Sequence, residues 1–330
     1  MALPVSLLGC SVASRNADAG IPSPLSPDCL VRPEGPLLRD TIVVALPGPL
    51  RPSGEVAPPS PVERFVADHL GRSFIPVDCT GRPDSTAHPS YRWGTSSPAI
   101  LYPADPDRTG PAIRVEASGP DTDPRDLIDR GVDVVIAADP VTLDYARART
   151  GLRSVPLAWD TRYLLVAPPG SSLPLTPSSA LRVELARDAV SVEARPAEFE
   201  SPAEGHQRCA AYQAGGSLRL DGIAIPSGDE VARALAERIV ALAGPAGPRR
   251  VIAYSATAFD SVLAAGSVTA YLVPQPRYLP PDCLGVPPIP PGAARAPLIE
   301  TRTTAVLRPG VPAFLIRGTG GIRFVPGRKP

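Results

Sequence analysis

Only three histidines occur in the chain, His69, His88 and His206, and none stands at a spacing that chemistry uses. His69 falls seven residues after Val62, on the same side of a helical pattern, so it reads as a packed histidine rather than a ligand. His88 and His206 stand in polar stretches with no motif partner. There is no HExxH, no GxSxG and no phosphate-binding loop. Gly318-Thr-Gly-Gly321 is too short for a nucleotide loop and reads as a hairpin turn. The carboxylate pairs Asp121/Asp123 and Asp126/Asp129 flank a helix start, where capping explains them better than acid–base work. Cys283 has no identifiable base to make it a nucleophile. These residues predict neither an enzyme nor a bound metal or cofactor.

The aromatic residues are more informative. Tyr91, Trp93, Trp159, Tyr163, Tyr254 and Tyr271 are few, and each lies at a junction between loop and strand. Ligands of open α/β folds bind beyond the carboxyl ends of the strands, in clefts lined by aromatics and a few polar anchors. Trp159, Arg162, Tyr163 and Tyr254 are the leading candidates, as ligand contacts only. The competing role for each aromatic is packing in the core.

Two cysteine readings bear on location. Leu7-Leu8-Gly9-Cys10 resembles a bacterial lipobox, in which Cys10 carries the lipid, and Ser11 to Ser26 then reads as a tether. The segment before Cys10 is shorter than a signal peptide and lacks a basic n-region. Either the start lies upstream or the match is accidental. With Cys10 set aside, Cys29, Cys79, Cys209 and Cys283 form an even set, enough for up to two disulfides with three pairings open. Four free thiols are the alternative. No CxxC spacing points to zinc.

Composition narrows the class. The chain has 330 residues and a formal net charge of +0, with 43% hydrophobic and 20% charged residues. This is a packed globular composition of about two ordinary domains. No basic run attracts nucleic acid or an anionic membrane. No apolar stretch is long enough for a membrane helix. The 45 prolines gather in connectors, where they cut elements short. Lys329 is the only lysine, which codon usage explains better than arginine-specific chemistry.

Elements that would position the aromatics follow from periodicity. Thr41-Ile-Val-Val-Ala-Leu46 is a continuous apolar run, as in a strand buried on both faces. Val62 to Leu70 has helical spacing, and Phe74 to Cys79 reads as a strand. Residues 81–110 are loop-like around one strand candidate, Ala99-Ile-Leu-Tyr102. Ala112 to Ala117 is a strand. Asp123-Pro124 opens a helix that Gly131 stops. Val132 to Ala138 is a strand, Asp139-Pro140 opens a helix, and Ser154 to Ala167 is extended. Leu181 to Ala189 is ambiguous between helix and strand. Ser217 to Ile225 is extended. Gly228-Asp229 opens the clearest helix, with Val231, Leu235, Ile239 and Leu242 as its stripe. Arg250 to Tyr254, a helix at Thr257 to Ala265, and Thr269 to Val273 follow. Leu298 to Val325 reads as short strands with glycine turns. Strands alternating with helices predict α/β with parallel strands.

Three stretches resemble the extracellular solute-binding family of ABC importers for oligopeptides, dipeptides and nickel. The first is Thr41 to Gly48 with Val62-Glu-Arg-Phe65 and Val77 to Arg82. The second runs from Ile113-Arg-Val115 through Leu127 to Val135, then Leu152 to Val155 and Thr161 to Leu164. The third is Ser227-Gly-Asp229, Ala232 to Ala243 and Phe259 to Tyr271. The resemblance implies a two-lobed type II periplasmic-binding-protein-like α/β fold. The family's extra small domain is missing, because the text between Cys79 and Ile113 is compressed. The resemblance places a leader and tether at 1–37, lobe one at 38–158 and 285–330, and lobe two at 159–284. Linking strands are expected near Trp159–Tyr163 and Tyr278–Cys283. It implies capture of a small solute, peptide-like or related, between lobes and delivery to an ABC-type permease. It further implies a monomer in the periplasm or at the cell surface, reaching the membrane only through a lipid on Cys10. A binding fold that lost its ligand and serves a structural or protein-interaction role is the alternative.

Overall fold

The computed structural model describes residues 27–32, 40–48, 61–70, 78–80, 91–94, 99–105, 108–119, 121–197, 219–245, 247–277, 289–311, 314–318, 321–324 and 327–328. Cys10, His88, His206, Cys209, Cys283, the tether, the linking strand expected near Tyr278–Cys283 and most of the strand expected from Phe74 lie outside these residues. No helix among the described residues is long and apolar enough to cross a membrane.

A 3-10 turn at Pro27–Cys29 leads into β1 (Leu30–Val31). The apolar run near residue 41 forms β2 (Thr41–Pro47), followed by α1 (Pro61–His69). Next come β3 (Tyr91–Trp93), β4 (Ile100–Pro103), β5 (Arg108–Thr109) and β6 (Ala112–Ser118). Then follow α2 (Pro124–Asp129), β7 (Val134–Ala137), α3 (Pro140–Arg147) and β8 (Arg153–Pro156). The two helices start as their sequences dictate. Asp123 accepts from the Arg125 N–H and Asp139 from the Thr142 N–H, each with proline in the first turn.

The next stretch holds β9 (Thr161–Ala167), α4 (Ser179–Asp188), β10 (Glu193–Pro196), β11 (Leu220–Pro226) and α5 (Glu230–Leu242). It continues with β12 (Val251–Tyr254), α6 (Ala256–Ala265), β13 (Val268–Pro276) and β14 (Ala294–Arg302). The ambiguous stretch is therefore α4, started by the Ser178 hydroxyl accepting from the Leu181 N–H. Its pattern is unclear because only Leu185 is fully buried. The buried stripe of α5 is Ala232, Leu235, Ala236 and Ile239, while Leu242 is 46% exposed. Small alanines let the helix lie close on its sheet, which rotates the larger residues at 231 and 242 off the contact line. The chain ends with β15 (Thr304–Leu307), β16 (Phe314–Ile316), β17 (Ile322–Phe324) and β18 (Gly327–Arg328).

Two large sheets organise the chain into a two-lobed α/β fold. The first has the order β3-β4-β6-β2-β7-β15-β8, with β2 parallel to β6 and β7. The second has the order β10-β14-β9-β13-β11-β12, with β11 parallel to β12 and β13. Each sheet is packed on both faces. Val44, Phe65, Ile113 and Leu307 belong to a core on one face of the first sheet, and Ala45, Leu127, Val135 and Leu143 to a core on the other. Leu165, Leu235, Ile239 and Leu272 pack on one side of the second sheet, and Val166, Phe259, Leu263 and Tyr271 on the other. Each fully buried Leu, Ile, Val or Phe contributes about 1.5–3 kcal/mol relative to exposure.

A small sheet, β1-β16-β17, closes the first lobe. A disulfide joins Cys29, beside β1, to Cys79. β16 and β17 pair antiparallel, with the Arg317 N–H donating to the Gly321 carbonyl, while Thr319 and Gly320 of the expected turn lie outside the described residues. Beneath it, His69 is fully buried. Its Nδ1 pairs with the Phe65 carbonyl at 2.7 Å, and its Nε2 accepts from the Phe324 N–H at 3.0 Å. Both nitrogens are therefore satisfied by a neutral ring.

Two strands cross between the lobes side by side. β8 runs on into β9 through residues 157–160, and β14 runs on into β15 through Thr303. β8 pairs with β15 in the first sheet, and β9 with β14 in the second. The ribbon stays hydrogen bonded through the crossing: the Leu157 N–H donates to Thr303 at 2.9 Å and the Asp160 N–H to Thr301 at 3.2 Å. The return does not lie at the expected boundary. Residues 294–302 belong to the second sheet, because β14 pairs along β9 and β10 before it crosses.

Candidate site between the lobes

Strand direction decides which ends of the sheets face each other. In the second sheet Tyr254 pairs with Pro226, Pro276 with Thr161, Thr161 with Thr301, and Arg302 with Glu193. All lie on the edge from which the crossing ribbon departs. In the first sheet Pro156 pairs with Thr304, Thr304 with Ala137, and Pro47 with Ser118. The ribbon departs from that edge also. Each edge is thus made of the carboxyl ends of parallel strands: β2, β6 and β7 in one lobe, β11, β12 and β13 in the other. Each holds a switch point, where the chain leaves a central strand and builds outward on both sides. β2 and β11 are those central strands. Such points are where open α/β sheets bind ligands.

The side chains at this edge of the second lobe form two groups. In the first, Asp229 caps α5, accepting from the Ala232 N–H at 2.8 Å. The Tyr163 hydroxyl donates to the same carboxylate, 3.2 Å from each oxygen. Burial pushes the Asp229 carboxyl and the Tyr163 hydroxyl up from their ordinary values. Nearby, burial pushes Asp160 up to about 6, against the pull of the Arg64 charge. Arg64 sits on α1, so the first lobe supplies the cation for a carboxylate of the crossing.

The second group lies on the opposite face of β9. Glu300 has no exposed side-chain surface. Its Oε1 accepts from Arg162 at 3.1 and 2.7 Å, and its Oε2 from Arg195 at 3.0 and 2.6 Å. Arg277 lies 3.3 Å from Oε1. Burial pushes this carboxyl up, but the Arg162 and Arg195 hydrogen bonds and the Arg277 charge outweigh it and hold it below the usual range. Arg302 donates to Glu193. The guanidinium carbons of Arg195 and Arg302 each lie 4.5 Å from the centre of the Trp159 ring.

Guanidinium forks, carboxylates, an indole and a phenol thus gather at the second lobe's edge, beside the crossing.

The fold is similar to that of solved bacterial binding proteins. A dipeptide-binding protein from Pseudoalteromonas sp. SM9913, in complex with Met-Leu, is 9% identical at a TM-score of 0.43, covering 73% of this chain and 64% of that one. NikZ from Campylobacter jejuni, in complex with Ni(L-His), is 12% identical at a TM-score of 0.37, covering 66% and 62%. The peptide-binding pheromone receptor PrgZ is 11% identical at a TM-score of 0.43, covering 75% and 66%. The chain spans less than two thirds of the length of each of these proteins. No protein-family model and no curated protein matches its sequence.

The residues singled out from sequence divide three ways. Trp159 and Arg162 lie with the Glu300 group on one face of the crossing, and half-buried Tyr254 ends β12 on the same edge, whereas Tyr163 is 6% exposed in the core on the other face with its hydroxyl on Asp229. Trp93 is 42% exposed on the edge strand β3, away from the ribbon. Tyr91 and Tyr271, like Tyr163, do not fit the expectation of ligand-facing aromatics. Tyr91 is packed in the first core beside His69. The Tyr271 hydroxyl accepts from the Val268 N–H and donates to the Val262 carbonyl, at 2.8 Å each, which consumes it inside the second lobe. Sequence reasoning missed Arg64, Asp160, Arg195, Asp229 as a site residue, Arg277, Glu300 and Arg302. One signal was present: Glu193-Ala-Arg195 and Glu300-Thr-Arg302 each place a Glu and an Arg two residues apart, hence on one face of a strand.

Proposed function

We propose that the chain is an extracytoplasmic solute-binding protein that captures a small solute, peptide-like or related, between its lobes for an ABC-type permease. The observation that carries this reading is the pairing of two switch-point edges across a two-stranded crossing. That ribbon is short enough to bend and wide enough to keep the edges in register, as hinge closure requires. A solute touching both edges would shift the population toward the closed form. The Cys29–Cys79 disulfide supports an oxidising compartment. The dipeptide and nickel–histidine complexes of similar proteins support small polar cargo. The reading involves no catalysis, and it takes the chain as a monomer anchored, if at all, through Cys10.

A second reading, a lobed protein with a structural or interaction role and no small ligand, is favoured by one observation. Tyr163 and Trp159 are already engaged, by Asp229 and by two arginines. A thermal-shift screen against short peptides, amino acids, sugars and nickel–histidine separates the two. Ligand at 100 times its dissociation constant adds about 2.7 kcal/mol to stability. A raised midpoint for one chemical class supports capture. A cooperative melt unmoved by every class would sink it and favour the second reading.

A further inference from the structure

The arginine group on β10 and β14 points to the charge of the cargo, an inference that rests on the solute-binding reading. Strand alternation sets Glu193 and Arg195 of β10 on one face with Glu300 and Arg302 of β14. The register pairs Glu193 with Arg302 and Arg195 with Glu300. Each guanidinium is thereby anchored by a carboxylate across the strands, and each also lies over the Trp159 ring. Anchoring and stacking together fix the plane of the fork, which removes much of the entropy cost of using it.

Neither fork is used up. Arg195 commits Nε and Nη2 to Glu300, and its Nη1 makes no hydrogen bond among the described residues. Arg302 commits Nη2 to Glu193, and its Nε is buried without a hydrogen-bond partner. The side chains remain 31% and 24% exposed, and the Arg302 Nε is shielded from solvent with no protein acceptor. The Glu300 oxygens are in turn occupied by Arg162 and Arg195. Fixed, partly open, planar donors at the sheet edge that faces the other lobe are what a carboxylate or phosphate needs for bidentate binding. A neutral solute would leave those donors with water alone.

We propose that Arg195 and Arg302, stacked on Trp159, form an oxyanion clamp in the interlobe site, and that the cargo carries a carboxylate or phosphate there. The clamp recognises two planar forks, so charge alone does not replace it.

The test is calorimetric titration of the full chain with inorganic phosphate, succinate and citrate, and with a neutral blocked dipeptide, at low and at physiological salt. The variants are Arg195→Lys and Arg302→Lys, which keep a cation opposite each carboxylate, alongside Arg195→Gln and Arg302→Gln. The expected result is binding of at least one anion, weakened by salt, and lowered at least tenfold by either lysine variant, each of which still melts cooperatively. Anion binding indifferent to all four substitutions overturns the clamp. So does tight binding of the neutral dipeptide with no anion bound, although capture of a solute then stands. Binding of nothing, by a protein that melts cooperatively, overturns the clamp and counts against capture as well.

Discussion

Glu300 holds a position few carboxylates tolerate, without exposed surface and with three arginines about it. Removing one partner of a buried ion pair leaves the others desolvated, at a cost of roughly 3–5 kcal/mol. Arg162, Arg195 and Arg277 keep some contact with solvent, so Glu300→Gln is expected at the lower end of that range. The readout is a lower urea midpoint with an unchanged slope. Two other groups contribute opposite slopes to the acid response. His69 is pushed down to about 3, by burial first and by the Arg323 and Arg317 charges after it. Its unfolded form takes up a proton near 6.5, so below that value protons favour unfolding and stability falls as pH falls. Asp160, raised to about 6, has the opposite sign. Its folded form takes up the proton first, so stability rises as pH falls through 6 toward 4. Between pH 6 and 5 the two slopes offset. Asp160→Asn removes one of them, and the variant is expected to lose up to about 1.4 kcal/mol per pH unit on acidification relative to the native chain. Denaturant curves at pH 6.0, 5.5 and 5.0 measure this; parallel behaviour of the two proteins would refute the assignment.

The elements of the first lobe are tied across the whole sequence. β1 is only two residues long and owes its place to pairing with β16 and to the disulfide beside it. The bond closes a loop spanning 50 residues. Such a loop corresponds to roughly 4 kcal/mol of chain entropy in the unfolded state. A Cys29→Ser, Cys79→Ser double variant is expected to lose about that much and to expose the β1 and β16 amides to hydrogen exchange first. Equal protection in both proteins would show that pairing alone holds the arm. At this scale the sequence was readable where the signal is local. The caps at Asp123, Asp139 and Asp229 and the buried run of β2 all follow from neighbours a few residues apart. β14 was misplaced because its partners lie more than a hundred residues away, and nothing in Ala294 to Arg302 says which sheet it joins. The same limit hid the arginine group. Glu300 meets Arg162 and Arg195 only through strand register. Trp159, Arg162 and Tyr163 were legible as residues at a crossing, whereas Tyr271 shows the ambiguity of an aromatic at a strand start, which looks alike whether it faces a cleft or a core.

At the scale of the molecule, the two lobes share one ribbon and keep separate cores. Bending at residues 157–160 and Thr303 therefore need not disturb either core. The crossing has a further consequence, for how such a chain can be divided. Leu157 and Thr303 are hydrogen-bonded neighbours on antiparallel strands. Everything between them, the entire second sheet and its helices, is an insertion whose two ends meet. Excising it and joining Leu157 to Thr303 through Asn-Gly would turn the ribbon into an ordinary two-residue hairpin. The remaining polypeptide keeps its seven-stranded sheet, both faces of its core and the disulfide. It is expected to melt cooperatively with a reduced heat capacity change, in proportion to the residues removed. A broad, dye-binding melt would mean that the first lobe needs the second to fold. A sharp one would mean that the cleft was made by placing one self-sufficient fold inside another.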